Sequence, residues 1–209
     1  MHTTEIQKQL AIDQHSVQAA EFAERYRRID EESYRSCFAY SRKRLGGLLD
    51  SCLPEQGDGL RVLDVGCGRA DFFDHLNARR TKVARYVGLE AVPALVDAAR
   101  AKARGNVQIV EGDFVADPQR LRVGAQVIVM SGSLNTLESA EFYSTLRHAY
   151  DAADEMLVFN FLCSTSLAGA SYLRWHPLDE VLKFAQTLGP RVRTLEDYLP
   201  GDCTVGMMK

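Results

Sequence analysis

A chain of 209 residues is long enough for one core-burying domain and too short for two of ordinary size. Hydrophobic residues make up 46% and charged residues 25%, which excludes a disordered, collagen-like or coiled-coil chain. Lys and Arg number 25 against 28 Asp and Glu, and a net charge of −3 lacks the basic excess of a nucleic-acid binder. Met1–Gln7 has no apolar core, so no signal peptide is expected. Met156–Cys163 is interrupted by Asn160 and falls far short of the roughly 18 apolar residues of a membrane helix. The cysteines Cys37, Cys52, Cys67, Cys163 and Cys203 are scattered, with no C-x-x-C pair. That pattern suits free thiols in a reducing cytoplasm, without structural zinc.

In chain order, Ile6 and Leu10, then Phe22, Tyr26 and Ile29, fall at helical spacing. Asp30 offers a cap for a second helix with Phe38, Leu45, Leu48 and Leu49 on its apolar face, ending near Leu53-Pro54. No linker-like shift in composition follows, so residues 1–53 are expected to pack on one domain spanning 1–209. From residue 60 short apolar runs recur, each followed by a helical pattern: Leu60–Val65, Val83–Leu89, Val107–Val110, Ala125–Met130 and Glu155–Phe161. Val- and Ile-rich runs without polar alternation are the mark of strands buried on both faces. Strands alternating with helices imply right-handed crossovers and a parallel sheet. Arg191–Leu195 and Cys203–Met208, joined by the turn-rich Tyr198–Asp202, leave no room for a helix and predict a closing antiparallel hairpin. The expected core, 60–209, is an α/β fold with seven strands, mostly parallel, and helices on both faces.

The strongest local signal is Val62–Phe73, a strand, a tight turn through Gly66 and Gly68, and a helix start. Glycines there permit a sharp turn and close approach of a ligand to the main chain. In doubly wound sheets ligands sit outside the carboxyl ends of the strands, where this turn lies. The dinucleotide fingerprint G-x-G-x-x-G fails because its last position is Asp71. Asp64 ends the strand and Asp71 and Asp74 fall in the first helical turn, with Arg69 the only nearby cation in sequence. Carboxylates at a helix N-terminus stand where a pyrophosphate would bind and repel it. A ligand with cationic groups suits the site, and S-adenosylmethionine carries an ammonium and a sulfonium. A purely structural glycine turn is the alternative.

The segment resembles the first motif of class I S-adenosylmethionine-dependent methyltransferases, an acidic residue followed by G-x-G-x-G. Asp64, Gly66 and Gly68 match, and Ala70 replaces the third glycine. The resemblance spans roughly residues 60–209 and implies a Rossmann-like fold with an antiparallel last strand, Cys203–Lys209, beneath an N-terminal helical lid. It also implies cofactor contacts from Asp64, Gly66, Cys67 and Gly68. Glu90, 24 residues after Gly66 at the end of Tyr86–Glu90, would accept hydrogen bonds from the ribose hydroxyls. Asn106–Phe114 resembles the family's third motif, which puts Asp113 beside the adenine amino group, with Ala91 and Phe114 flanking the ring. Asp113 as a helix cap is the alternative. Ser131-Gly-Ser-Leu-Asn135 resembles a Ser-Gly-x-x-Asn segment of small, poorly characterised bacterial members. It implies that Ser131 lies by the methionine part of the cofactor. Arg44 in the lid would meet the cofactor carboxylate, unless Arg42, Lys43 and Arg44 form a solvated face.

Methyl transfer is an in-line displacement that mainly requires alignment, exclusion of water and sometimes removal of one proton. No dedicated catalytic motif is needed, and none is found. The Asp/Asn-Pro-Pro-Tyr/Phe segment of the family's amino- and nucleobase-methylating members is missing at Ser131–Leu134, which favours a small-molecule acceptor over nucleic acid. Ser131 also stands where metal-dependent relatives place acidic residues, so no magnesium is expected. Asn135 and His176 are the candidate catalytic residues, with Tyr34, Phe38, Tyr172 and Trp175 lining the acceptor pocket. His176 has an unperturbed pKa near neutrality and can accept a proton, or it can simply fix the loop before Pro177. No G-x-S-x-G elbow points to a hydrolase. The remaining alternatives are an NAD(P)-dependent oxidoreductase and a non-catalytic cofactor-binding scaffold.

Overall fold

In the computed structural model, which describes residues 57–169, 173–196 and 198–209, Leu60–Val65 forms strand β1. It is followed by α1 (Asp71–Ala78), β2 (Val83–Glu90), α2 (Pro93–Arg100) and β3 (Val107–Glu111). A 3-10 turn at Pro118–Leu121 leads to β4 (Val127–Met130), α3 (Ser139–Ala152) and β5 (Met156–Leu162). The chain ends with α4 (Leu178–Leu188), β6 (Arg191–Leu195) and β7 (Asp202–Met208). The helices expected within 1–53, with Arg44, Tyr34 and Phe38, lie outside the described residues, as does Tyr172.

The seven strands form one sheet in the order β3-β2-β1-β4-β5-β7-β6. β1 to β5 run parallel, and β7 is antiparallel to both β5 and β6. The fold is Rossmann-like, as expected, with the closing hairpin folded so that its second strand lies inside and its first becomes the edge. Composition explains that choice. Asp202–Met207 of β7 are all buried, whereas β6 exposes Arg191 and Arg193, and charged residues protect an edge.

The two faces separate cleanly by residue parity. Leu63, Val65, Val87, Leu89, Ile128, Leu157 and Phe159 meet Phe142, Leu146 and Ala149 of α3 and Val181 and Ala185 of α4. Val62, Tyr86, Val127, Val129 and Val158 meet Phe72 and Leu76 of α1 and Val96 and Ala99 of α2. Among the described residues no helix is long and apolar enough to cross a membrane.

Two expectations need correction. The alternation of strand and helix fails between β3 and β4, where one 3-10 turn starts at Pro118 and is pinned by the fully buried Leu121. β4 also begins at Val127 rather than Ala125. The Gln126 carbonyl accepts the N–H groups of both Glu155 and Met156, and its side chain bonds Arg61 N and Glu155, so it splices strands instead of extending one. The chain leaves β3 at one side of the sheet and returns as β4 beside β1. That reversal of winding opens a crevice at the carboxyl ends of β1 and β4.

At the same end of the sheet, β5 and β7 bury a polar cluster. Asp202, opposite Leu162, accepts from Asn160 Nδ2 through both carboxylate oxygens, at 3.1 and 3.0 Å. The Tyr198 hydroxyl donates to Asp202 at 2.5 Å and lies 2.7 Å from the Thr204 hydroxyl. Burial pushes the Asp202 carboxyl up from 3.8 to about 6, although the bonds from Tyr198 and Asn160 pull it down. The folded state therefore holds this proton more tightly than the unfolded chain does. Its contribution to stability is greatest below the ordinary carboxylate value and is lost as pH rises through about 6. Asp202→Asn removes this dependence, so between about pH 4 and 7 it gains on the wild type by up to about 3 kcal/mol, read from urea unfolding across that range.

Candidate active site

The turn after β1 is shaped by what it must approach. Gly66 has φ +67°, and a Cβ placed there would lie 2.4 Å from Cβ of Ser133, in the segment after β4. No side chain fits between the two loops. The N–H groups of Gly66 and Cys67 both donate to the Leu89 carbonyl, at 2.7 and 3.1 Å, which ties the turn to β2. Ala70, where the third glycine would stand, also adopts the left-handed region, with φ 57° and ψ 39°, and its buried methyl packs among Phe72, Leu76 and Val96.

Glu90 completes the turn. Its Oε2 accepts from Gly68 N at 2.8 Å, and its Oε1 accepts from Ala91 N and Val92 N, both at 2.9 Å. Asp64 is equally buried and accepts a hydrogen bond from the Tyr86 hydroxyl. Cys67, lying between these carboxylates, reports on their field. Its thiol is pushed far up, first by burial and then by the charges of Asp64 and Glu90. A potential that opposes a thiolate favours a cation in the same place.

Arg69 is not the only nearby cation. Lys102, just beyond α2, bonds Asp71 at 3.0 Å and Asp74 at 2.6 Å. The acidic first turn of α1 is thus paired, and the carboxylates that set the field of the turn are Asp64 and Glu90. Lys102 was invisible to sequence reasoning because α2 brings it back from 31 residues away. Tyr86 was equally hidden inside an apolar run.

The other expected residues are placed as follows. Asp113 Oδ1 accepts from Val115 N at 2.8 Å and Ala116 N at 3.2 Å, a cap on the turn after β3. Phe114 is buried beside it and Ala91 is exposed. Ser131 and Ser133 follow β4, and both hydroxyl oxygens are buried with no hydrogen-bond partner among the described residues. Such orphaned groups are uncommon in a folded chain, where water or a ligand commonly supplies the missing partner.

Asn135 Oδ1 accepts from Leu162 N at 3.2 Å, and its carbonyl accepts from Arg174 N at 2.7 Å. His176 N donates to the Leu162 carbonyl at 2.9 Å, and its ring stacks on Phe142 with centroids 3.9 Å apart. Both candidate catalytic residues therefore converge on the last residue of β5. Burial lowers the His176 pKa against a hydrogen bond with the Leu137 backbone, so the ring is neutral near pH 7, and its buried Nε2 has no partner among the described residues. Beside it lies a cleft of about 370 Å³ between Glu138-Ser139, Thr165, Ala168 and Leu173–His176. Trp175 is its exposed aromatic wall, and Arg174 is paired with Glu138 at 2.6 Å. Among the described residues no group of His, Cys, Asp and Glu side chains is placed to hold a metal ion.

The strand order, the single antiparallel strand and the acidic glycine turn define a class I methyltransferase domain. A family model described as a methyltransferase domain matches residues 37–190, and the chain belongs to that family. No curated protein matches it in sequence. Solved structures share the fold. Magnesium protoporphyrin IX methyltransferase from Synechocystis PCC 6803, with bound SAH, is 17% identical with a TM-score of 0.67, over 90% of this chain and 94% of that one. A SAM-dependent methyltransferase from Archaeoglobus fulgidus is 16% identical with a TM-score of 0.61, over 86% and 100% of the two chains. The DhpI-SAH complex is 16% identical with a TM-score of 0.65, over 91% and 92%.

Three substitutions test this geometry. Gly66→Ala meets both the left-handed backbone and Ser133, and should destabilise by at least about 1–2 kcal/mol in urea unfolding. Adding Ser133→Gly should restore only the part due to the contact. Tyr86→Phe leaves the buried Asp64 carboxylate short of a donor and should lower stability by about 1–3 kcal/mol.

Proposed function

We propose that the protein transfers a methyl group from S-adenosylmethionine to a small-molecule acceptor. The observation that carries this reading is the pair of buried carboxylates, Asp64 and Glu90, at the glycine turn, whose charges add to burial in raising the Cys67 thiol. Such a field favours the ammonium and sulfonium of S-adenosylmethionine and opposes the pyrophosphate of a nicotinamide cofactor. The solved relative from Synechocystis PCC 6803 bound to SAH, and a second structure of it bound to SAM, support the same cofactor.

The residues present fit this group. Glu90 Oε2 accepts one bond, from Gly68, and retains capacity for a ribose hydroxyl. Asp113 Oδ1 is engaged by the backbone, which leaves Oδ2 for an exocyclic amino group. The orphaned hydroxyls of Ser131 and Ser133 await polar partners on the methionine side, where the missing side chain of Gly66 leaves the main chain bare. Ala91 and Phe114 flank the adenine, and Cys67 and Gly68 line the turn. When bound, the cofactor supplies a methyl group already activated on sulfur.

The chain's own task is then to hold the acceptor in line and to exclude water. The cleft beside Trp175 and His176 is of small-molecule size and opens at the same end of the sheet. Trp175 offers a flat aromatic surface to the acceptor. Asn135 fixes the wall, and neutral His176 carries an acceptor nitrogen for an acceptor's proton once the cleft wall uncovers it. The Ser131–Asn135 segment supports a place among the small bacterial methyltransferases.

Calorimetric titration with S-adenosylhomocysteine and with NADH tests the cofactor. Tight binding of the first is expected; binding of NADH alone overturns the reading in favour of an oxidoreductase. Glu90→Gln keeps the shape of the side chain but loses its charge, and should weaken S-adenosylhomocysteine by roughly tenfold to a hundredfold. Turnover of a labelled methyl group in a screen of small acceptors separates an enzyme from a cofactor-binding scaffold.

A further inference from the structure

The buried cluster of Asp202, Asn160 and Tyr198 lies outside every motif that carries the proposed methyl transfer, yet it reaches the cofactor side of the crevice by a continuous path. Asn160 Nδ2 donates to both carboxylate oxygens of Asp202, and its Oδ1 accepts from Gly132 N at 2.8 Å. Gly132 sits at φ +76° between Ser131 and Ser133, the two residues with orphaned hydroxyls, and Ser133 is the residue against which Gly66 is packed. We propose that Asp202 is a positioning residue for the cofactor site: through Asn160 it holds the Gly132 N–H, and with it the Ser131–Ser133 segment, against the Gly66 turn. This rests on the reading of that crevice as the cofactor site.

The physical reason is the chemistry of an amide. Only the NH2 end of Asn160 can donate to an ionised carboxylate, so ionised Asp202 fixes which way the amide faces and turns Oδ1 toward Gly132. Protonated Asp202 becomes a donor itself. One oxygen then remains to accept from Asn160 Nδ2 where there were two, so the amide is held less firmly and the Gly132 N–H is released more readily. The Tyr198 hydroxyl, which donates to the carboxylate, has Thr204 as its other partner and can follow the change.

The groups around Asp202 leave it as the one that changes charge near neutrality. Tyr198 from the β6–β7 connection, Cys163 at the end of β5 and Cys203 on its own strand are all held protonated by burial, and Glu196 faces the two thiols. Asp202 itself is pushed up to about 6. The amide is therefore held firmly above that pH and more loosely below it.

The test reads the Gly132 amide by NMR in the free protein and S-adenosylhomocysteine affinity by calorimetry, both from about pH 5 to about pH 7.5. In the wild type the Gly132 amide shift should follow one titration near pH 6, and the Kd should rise about three- to tenfold toward acid with the same midpoint. Asp202→Asn should flatten both curves. Tyr198→Phe removes a bond that stabilises the carboxylate, so it should move both midpoints upward, which a merely structural residue would not do. A wild-type Gly132 signal and Kd that stay flat across this range overturn the relay while leaving the cofactor reading intact. A chain that binds no S-adenosylhomocysteine at any pH overturns the cofactor reading, and the control of its affinity with it.

Discussion

Everything at the carboxyl end of this sheet depends on one buried carboxylate, Glu90, gathering three backbone N–H groups. Gly68 comes from the turn after β1, and Ala91 and Val92 from the turn after β2. A charge this deep is tolerated because those donors replace water, and in return the two turns share one anchor. The crevice between them keeps its shape without any contact from the ligand it is suited to hold. Asp64 does the same one strand away, with Tyr86 as its donor. Two negative charges are thereby fixed beside a bare stretch of main chain, where they add to burial in raising the Cys67 thiol.

The second constraint is steric. The parallel strands β1 and β4 deliver their following loops side by side, and Gly66 and Ser133 meet so closely that neither loop can be displaced without the other. The first loop is tied to β2 through Leu89, and the second to β5 through Asn160, Asn135 and the last residue of β5. The site is thus strung between the two halves of the doubly wound sheet. Its charges come from the β1–β2 half, and the cleft beside Trp175 from the segments around β5 and α3.

The polar groups of the second half serve packing and function at once. Asn135 and His176 both bond Leu162; His176 lines the cleft, and Asn135 stands behind it, accepting from Arg174 N of the cleft wall. Stacking of His176 on Phe142 holds the ring in an apolar setting and keeps it neutral. Asp202 takes the opposite course. It keeps a carboxyl inside the sheet edge at a cost that its bonds to Asn160 and Tyr198 only partly offset.

The sequence by itself determined the strands, their burial, the glycine turn and the identity of the acidic residues at the strand ends. These are local properties. Runs of Val and Ile, a Gly-x-Gly after a strand and an Asp or Glu at its last position are readable without knowing what lies across from them. It also foresaw the closing hairpin, because the five turn-rich residues Tyr198–Asp202 leave no room for a helix. Only the tertiary structure decided which side chains answer those residues. Lys102 reaches Asp71 and Asp74, Tyr86 reaches Asp64, Ser133 closes on Gly66, and Asn160 joins Asp202 to Gly132. Each partner is 22 to 67 residues away in the chain, in a position with no periodicity to mark it. The helix missing between β3 and β4 has the same origin: a single buried Leu121 closes the crossover where local pattern alone suggested more. Local spacing encodes which groups stand at the mouth of the crevice, and the register of the parallel strands decides which of them touch.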